Sequence, residues 1–312
     1  MKKKIAAFSA ALIMLLSGCA KAQTAWITDY DAAKETATKQ KKGIMVVFTG
    51  SDWNDPSKTL ITSVFTDEFF AKGTKDFVMC NIDIVQDEKL MSADQAEKNY
   101  KVASDFGVQA LPYLVLLTSE GDMYGSAAIG EDVNTLEAFY AYLDTYKDAK
   151  TQLVDLKKKI ASSKGIERAK NIDIFIESMD ASRRPSYSAM IREVPDLDPD
   201  NAEGLREKYL LQVAYLDAVD LYQQQKLVEA GDCFLTLADS GSLNASRTQE
   251  AYYMGAYMNA MSGSTDNDKV IAWLEKAIAA DPENAGAEQI KATIEQIKSQ
   301  AVTVPADGAA AQ

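Results

Sequence analysis

The chain has 312 residues, 47% of them hydrophobic, and a formal net charge of −13, long for one domain and comfortable for two. Such acidity argues against nucleic-acid backbones and anionic membrane surfaces as main partners, and it also serves solubility by itself. There is no histidine and the three cysteines lie far apart, which removes Ser-His and Cys-His catalysis, leaves no metal cluster and points to no cofactor.

Met1 to Lys4 is a positively charged start. Ile5 to Leu16 is an apolar run too short to span a bilayer comfortably. Leu16-Ser17-Gly18-Cys19 follows, and this resembles a bacterial lipobox. The resemblance implies cleavage before Cys19 and lipid attachment to it, hence a protein of the bacterial cell envelope, lipid-anchored and facing the periplasm. An ordinary signal peptide with a chance cysteine is the alternative. Residues 1–18 are then a leader and residues 19–24 a linker. Loss of Lys2, Lys3 and Lys4 with the leader takes the formal charge from −13 to −16.

Lys21 to Gln40 reads as linker then helix, with Trp26 and Tyr30 as early apolar anchors. Ile44 to Phe48 is a β-branched, apolar run with no helical period, and it predicts a short buried strand. Thr49, Gly50, Ser51 and Asp52 break it. Asn54 and Asp55 then offer helix-capping side chains, and Pro56 suits a first helical turn, where its missing N–H costs nothing. Pro56 to Lys72 reads as one helix, with Leu60, Val64 and Phe65 at helical spacing. Asp76 to Val85 is a second strand. It alternates Phe77, Met79, Asn81 and Asp83 on one side with Val78, Cys80, Ile82 and Ile84 on the other, so Cys80 reads as a small core hydrophobe. Asp94 to Phe106 is a helix stopped at Gly107. Leu111 and Pro112 precede a third strand that ends in a turn at Ser119-Glu120-Gly121. Asn134 to Tyr146 is a helix carrying Leu136, Phe139, Tyr140 and Leu143 on one face.

The strand–loop–helix stretch from Ile44 to Lys58 resembles the active-site segment of the thioredoxin-like superfamily, in the branch of form Phe-x-Gly-Ser-Asp-Trp-Cys-x-x-Cys-Lys. Phe48, Gly50, Ser51, Asp52, Trp53 and Lys58 fit that form. Asn54 and Ser57 stand in place of its two cysteines, and Pro56 is kept. The resemblance covers Ala25 to Tyr146 and makes Trp53, Asn54, Asp55, Pro56 and Ser57 a degenerate redox motif. It also matches Pro112, after Leu111, to the family's cis-proline; a trans proline starting a strand is the alternative. Thiol–disulfide exchange needs an attacking thiolate and a resolving sulfur. An amide and a hydroxyl supply neither, so the family's redox activity does not carry over and no catalytic residue is expected. Asn54 and Ser57 also read simply as a cap and a first-turn hydroxyl.

Beyond Tyr146 apolar residues recur at helical spacing, from Leu153, Leu156 and Ile160 to Ile290, Ile294 and Ile297. Residues 205–229 carry two adjacent apolar stripes and read as one well-buried helix. Cys233 shares a face with Ala230 and Leu237 and is expected to be buried and unpaired, like Cys80. Leu197-Asp-Pro-Asp-Asn201 and Ala280-Asp-Pro-Glu-Asn284 both resemble the turn that closes a tetratricopeptide (TPR) unit, with Gly255 at the small crossing position of a preceding helix. The two turns are not a clean multiple of that repeat apart, so the reading is a degenerate TPR-like domain, with generic helical hairpins as the alternative. Tyr252, Tyr253, Tyr257 and Trp273 fit either a peptide groove or a core. Residues 301–312 read as a disordered tail.

The expected architecture is an α/β thioredoxin-like fold over residues 25–148, followed by an all-α TPR-like helical domain over 149–300. The expected role is protein binding, as a scaffold or chaperone-like module, with a polypeptide partner, a membrane contacted through the lipid anchor, and no nucleic acid. The competing reading is an enzyme related to thiol–disulfide oxidoreductases, working through Cys80 or Cys233, or through Asp52 or Asp55 as acid or base.

Overall fold

The computed structural model describes residues 26–302; the lipobox-like segment with Cys19, the linker over 19–24 and residues 303–312 lie outside them. Two compact units divide between Thr151 and Gln152.

The first unit is built on a four-stranded sheet in the order β2-β1-β3-β4. Strand β1 (Gly43–Thr49) pairs parallel with β2 (Phe77–Asp83) and antiparallel with β3 (Tyr113–Leu117), which pairs antiparallel with β4 (Met123–Ala128). Every residue of β1 is buried, which is why its apolar run is continuous rather than alternating. Met45 and Val47 enter one core, and Ile44, Val46 and Phe48 the other. Helices α1 (Tyr30–Gln40) and α4 (Ala93–Asp105) cover the second face, with Ala33, Ala37 and Ala103 against the sheet. The first face is covered by α2 (Asp55–Ser63), α3 (Asp67–Gly73) and α5 (Leu136–Asp144), through Leu60, Phe69, Phe70, Phe139 and Leu143. Ahead of α1, Ile27 forms an isolated parallel bridge to Cys80.

One expectation is corrected here, and one strand goes unread in the sequence. The helix read from Pro56 to Lys72 is two helices. The Thr66 side chain accepts from the Phe69 N–H and starts α3 afresh, with Asp67 and Glu68 in its first turn, an arrangement that satisfies a free N–H and suits the helix dipole. Strand β4 had no apolar alternation to announce it: Gly125, Ser126, Ala127 and Ala128 are held by pairing with β3.

The second unit, with the start of its first helix shared across the division, is helical throughout its described residues: α6 (Lys147–Ser162), α7 (Gly165–Glu177), a 3-10 turn over Ala181–Tyr187, α8 (Ser188–Leu197), α9 (Leu205–Gln223), α10 (Leu227–Asp239), α11 (Ala245–Met261), α12 (Asn267–Ala280) and α13 (Gly286–Val302). The single helix read over 205–229 is broken between α9 and α10, where Gln225 takes a left-handed φ of 62°. Helices α10 and α11 cross closely, since a Cβ at Gly231 would lie 2.8 Å from the Gly255 carbonyl oxygen. In the turn after α8 the buried Asp198 carboxylate accepts from the N–H groups of Ala202, Glu203 and Leu205, repaying its removal from water. Among the described residues no helix is long and apolar enough to cross a membrane.

Candidate functional site

The site is the loop that leaves β1 and enters α2. Its framework is Asp83, at the end of the neighbouring strand β2. The Asp83 carboxylate accepts from the Thr49 hydroxyl at 2.8 Å, from the Ser51 N–H at 2.9 Å and from the Ser51 hydroxyl. Asp52 reaches the next segment and accepts from the N–H groups of Gln86 at 2.9 Å and Asp87 at 2.7 Å. Desolvation opposes ionisation of Asp52, but these N–H donors outweigh it and hold its carboxyl below the usual value. Trp53 donates from Nε1 to the Ile84 carbonyl at 2.7 Å. Its indole lies across Gly50, where a Cβ would come within 2.8 Å of the ring. The ring is nevertheless 40% exposed, so the loop presents an aromatic face held by one hydrogen bond and one glycine.

Asn54 and Ser57 close the structure beneath. Asn54 caps α2: its Oδ1 accepts from the Ser57 N–H at 2.9 Å and from the Ser57 hydroxyl at 2.7 Å. Ser57 is fully buried, and its Oγ also accepts from the Gly50 N–H at 3.1 Å. The amide and hydroxyl therefore tie loop, cap and helix together, and both lack the sulfur that exchange chemistry requires. Asp55 and Pro56 begin the helix, with Asp55 paired to Lys58 at 3.0 Å.

The Leu111–Pro112 peptide bond is cis. Pro112 and α2 border one open groove of about 280 Å³, whose walls include Asp55, Pro56, Leu60, Glu131 and Val133. Asn54 and Ser57 are not among its lining residues. Of the residues singled out in the sequence, Asp55, Pro56 and Pro112 meet at this groove, and Trp53, Asn54 and Ser57 lie in the adjoining loop and helix start. Cys19 lies outside the described residues. Asp83, which organises the loop, was legible only as one member of an alternating strand.

The two described cysteines are free and stand elsewhere. Cys80 is fully buried on β2, and burial, with a smaller contribution from Asp29, pushes its thiol up to about 12. Cys233 is half-buried, which corrects the expectation of a core position; burial and then Asp217 and Asp232 raise its thiol too. The four aromatics of the second unit divide between roles. Tyr252 is buried with its hydroxyl on Asp239, Tyr253 and Trp273 pack partly against the core, and Tyr257 is half-exposed. No group of acidic, cysteine or histidine residues suited to a metal ion occurs among the described residues.

Residues 25–119 match the family described as Thioredoxin-like, and residues 205–303 match one described as Uncharacterised protein C-terminal domain. An uncharacterised protein of Treponema pallidum (strain Nichols) is 29% identical over 282 residues, 90% of this chain and 92% of the relative. A protein of Chlamydia pneumoniae described as Thioredoxin-related protein DsbJ is 27% identical over 115 residues, 35% of this chain and 32% of its own length. The chain thus spans about a third of that relative. A solved structure described as DsbH Oxidoreductase is 24% identical, with a TM-score of 0.35, over 40% of this chain and 83% of that one. The N-terminal unit is a thioredoxin-like domain related to Dsb proteins, and an all-helical region follows it.

Proposed function

We propose that the protein is a lipid-anchored envelope protein whose thioredoxin-like domain binds polypeptide without redox chemistry, as a scaffold or chaperone-like module with its helical region. The carrying observation is the hydrogen-bonded Asn54–Ser57 pair at the start of α2. By the resemblance these are the two positions that would carry sulfur in a redox-active relative, and the groove beside them stays open. The open groove beside Pro112, walled by Asp55, Pro56, Leu60, Glu131 and Val133, suits an extended peptide whose side chains its walls can select. The lipobox-like segment supports anchoring through Cys19 and an envelope location. The TPR-like turns support a second polypeptide-binding surface.

The oxidoreductase reading has the likeness to a thioredoxin-related relative in its favour. It then requires Cys80 or Cys233, and a reactive cysteine needs a lowered pKa and access, whereas both thiols are raised and Cys80 is buried. The test places a photocrosslinking side chain at Thr59, in the groove wall, and at Lys101 as a control in intact cells. Polypeptide adducts at Thr59 and not at Lys101, with no reduction of insulin by the purified protein, are expected. Absence of adducts together with dithiol-dependent insulin reduction that disappears in Cys80→Ser or Cys233→Ser would replace this reading with the enzyme.

A further inference from the structure

A second concavity of about 280 Å³ opens in the first unit away from the loop, walled by α3, β4, α5 and the first turn of α6. Its interior is apolar and aromatic: Leu116 and Leu143 are buried there, beside Phe77, Tyr124 and Tyr140. Three lysines line it, Lys72, Lys147 and Lys150, against two carboxylates, Asp76 and Asp144. That local excess of positive charge sits in a chain of net −13.

The cations are held in unequal ways. Lys147 is paired with Asp144 at 2.9 Å. Lys72 instead stands 3.7 Å from the centre of the Tyr140 ring, and Lys150 lies 5.8 Å from the ring centres of both Phe77 and Tyr124. Neither Lys72 nor Lys150 has a carboxylate at ion-pair distance among the described residues. An aromatic face attracts an ammonium without neutralising its charge, so the rings position two cations and leave their N–H groups free to donate. The Tyr124 hydroxyl likewise has no hydrogen-bond partner among the described residues. Burial, then the charge of Asp76, raises that phenol above its ordinary value, so it remains a donor at neutral pH.

We propose that this pocket binds an organic anion, with a phosphate or carboxylate held at the mouth by Lys72 and Lys150 and an apolar body seated over Leu116 beside Tyr124 and Tyr140. A bare inorganic ion leaves the apolar interior unfilled, and a neutral hydrophobe leaves the two ammonium groups unmatched; both halves of the ligand are required. The same chemistry comes from a dissolved aryl or alkyl phosphate or from a phospholipid headgroup with its chains.

The test uses the full chain with Cys19→Ser, so that no attached lipid intervenes, and two probes. Calorimetry with phenyl phosphate is expected to show saturable binding, weakened about tenfold or more by Lys72→Gln or Lys150→Gln and about three- to tenfold by Tyr124→Phe. Inorganic phosphate and phenol should each bind more weakly than phenyl phosphate. In the second arm, flotation with phosphatidylglycerol vesicles is compared with phosphatidylcholine vesicles. A phosphatidylglycerol preference that the two lysine variants abolish supports the site with a lipid as source. A positive result with phenyl phosphate supports it with a solute as source. Failure of both probes, or binding that both lysine variants leave unchanged, overturns the site. Inorganic phosphate binding as well as phenyl phosphate overturns the requirement for an apolar body. Lys101→Gln, away from the pocket, should change nothing.

Discussion

Replacing Asn54 with Ala tests whether the pair at the start of α2 is structural. The Asn54 Oδ1 accepts both the N–H and the hydroxyl of Ser57. Loss of a capping side chain costs about 0.5–2 kcal/mol. Ser57 is fully buried, so its hydroxyl loses its acceptor without gaining water, at about 1–3 kcal/mol. The expected loss for Asn54→Ala is therefore about 2–4 kcal/mol, at the upper end of single substitutions. Asn54→Asp keeps an acceptor at the same place and adds a charge that the helix N-terminus favours, so it should change stability by no more than about 0.5 kcal/mol. Hydrogen exchange of the β1 amides Val46 and Val47 reads the stability of this unit without requiring the whole chain to unfold in one step. A double-mutant cycle with Ser57→Ala isolates the pair, with an expected coupling of about 1 kcal/mol or more. A loss below about 0.5 kcal/mol for Asn54→Ala, or coupling near zero, refutes the reasoning, since it would mean that Ser57 finds other partners at no cost.

Four further outcomes are expected. Asn54→Cys with Ser57→Cys should close a disulfide and gain insulin reduction with dithiothreitol, because a helix N-terminus lowers a thiol's pKa; a folded double variant that stays reduced under oxidant would sink this. At pH 8 Cys80 should react with a maleimide only after unfolding, whereas half-buried Cys233 reacts slowly in the native protein; mass spectrometry of the labelled peptides decides between them. Gly50→Ala should displace the Trp53 indole, break its bond to Ile84 and cost about 1–3 kcal/mol through overpacking, seen as loss of the slowly exchanging indole proton; retention of that proton would contradict the contact. Asp52 has a lowered folded pKa, so its contribution is present above the unfolded value near 3.8 and is lost as pH falls through the folded value; protection of the Gln86 and Asp87 amides should fall in that acid range and should be pH-independent there in Asp52→Asn.

Where sequence reading worked, local pattern and tertiary environment agreed. Ile44 to Phe48 has two buried faces, so its unbroken apolar run marks a central strand. The capping residues Asn54 and Asp55 and the proline at 56 place the start of α2 to within a residue: the sequence reading begins it at Pro56, and it begins at Asp55 with Asn54 as its cap. Where it failed, the deciding partner was distant or the signal faint. The spacing of Leu60, Val64 and Phe65 runs across a real helix boundary, while the cap at Thr66 that makes the boundary is a single polar side chain. Gln225 turns the chain with a left-handed φ and neither glycine nor proline to announce it. Strand β4 exists through β3. Asp83 was visible as a carboxylate on a strand, but its role depends on Thr49 and Ser51, which only the parallel pairing of β1 and β2 brings beside it.

The short bridge at Ile27 has a consequence for handling the chain. Ile27 donates its N–H to the Met79 carbonyl at 3.0 Å and its own carbonyl accepts from Asn81 at 2.9 Å. Strand β2 would otherwise be an open edge with a ready row of donors and acceptors, the kind of surface that templates pairing between chains. A few residues at the mouth of the linker thus act as a guard rail for the sheet, and Trp26 beside them packs at 5.0–5.7 Å from Phe65, Phe69 and Phe70 to keep it in place. Trimming the chain past Ile27 would remove no part of the loop or groove, yet it would leave the middle of β2 an open edge that invites pairing between chains.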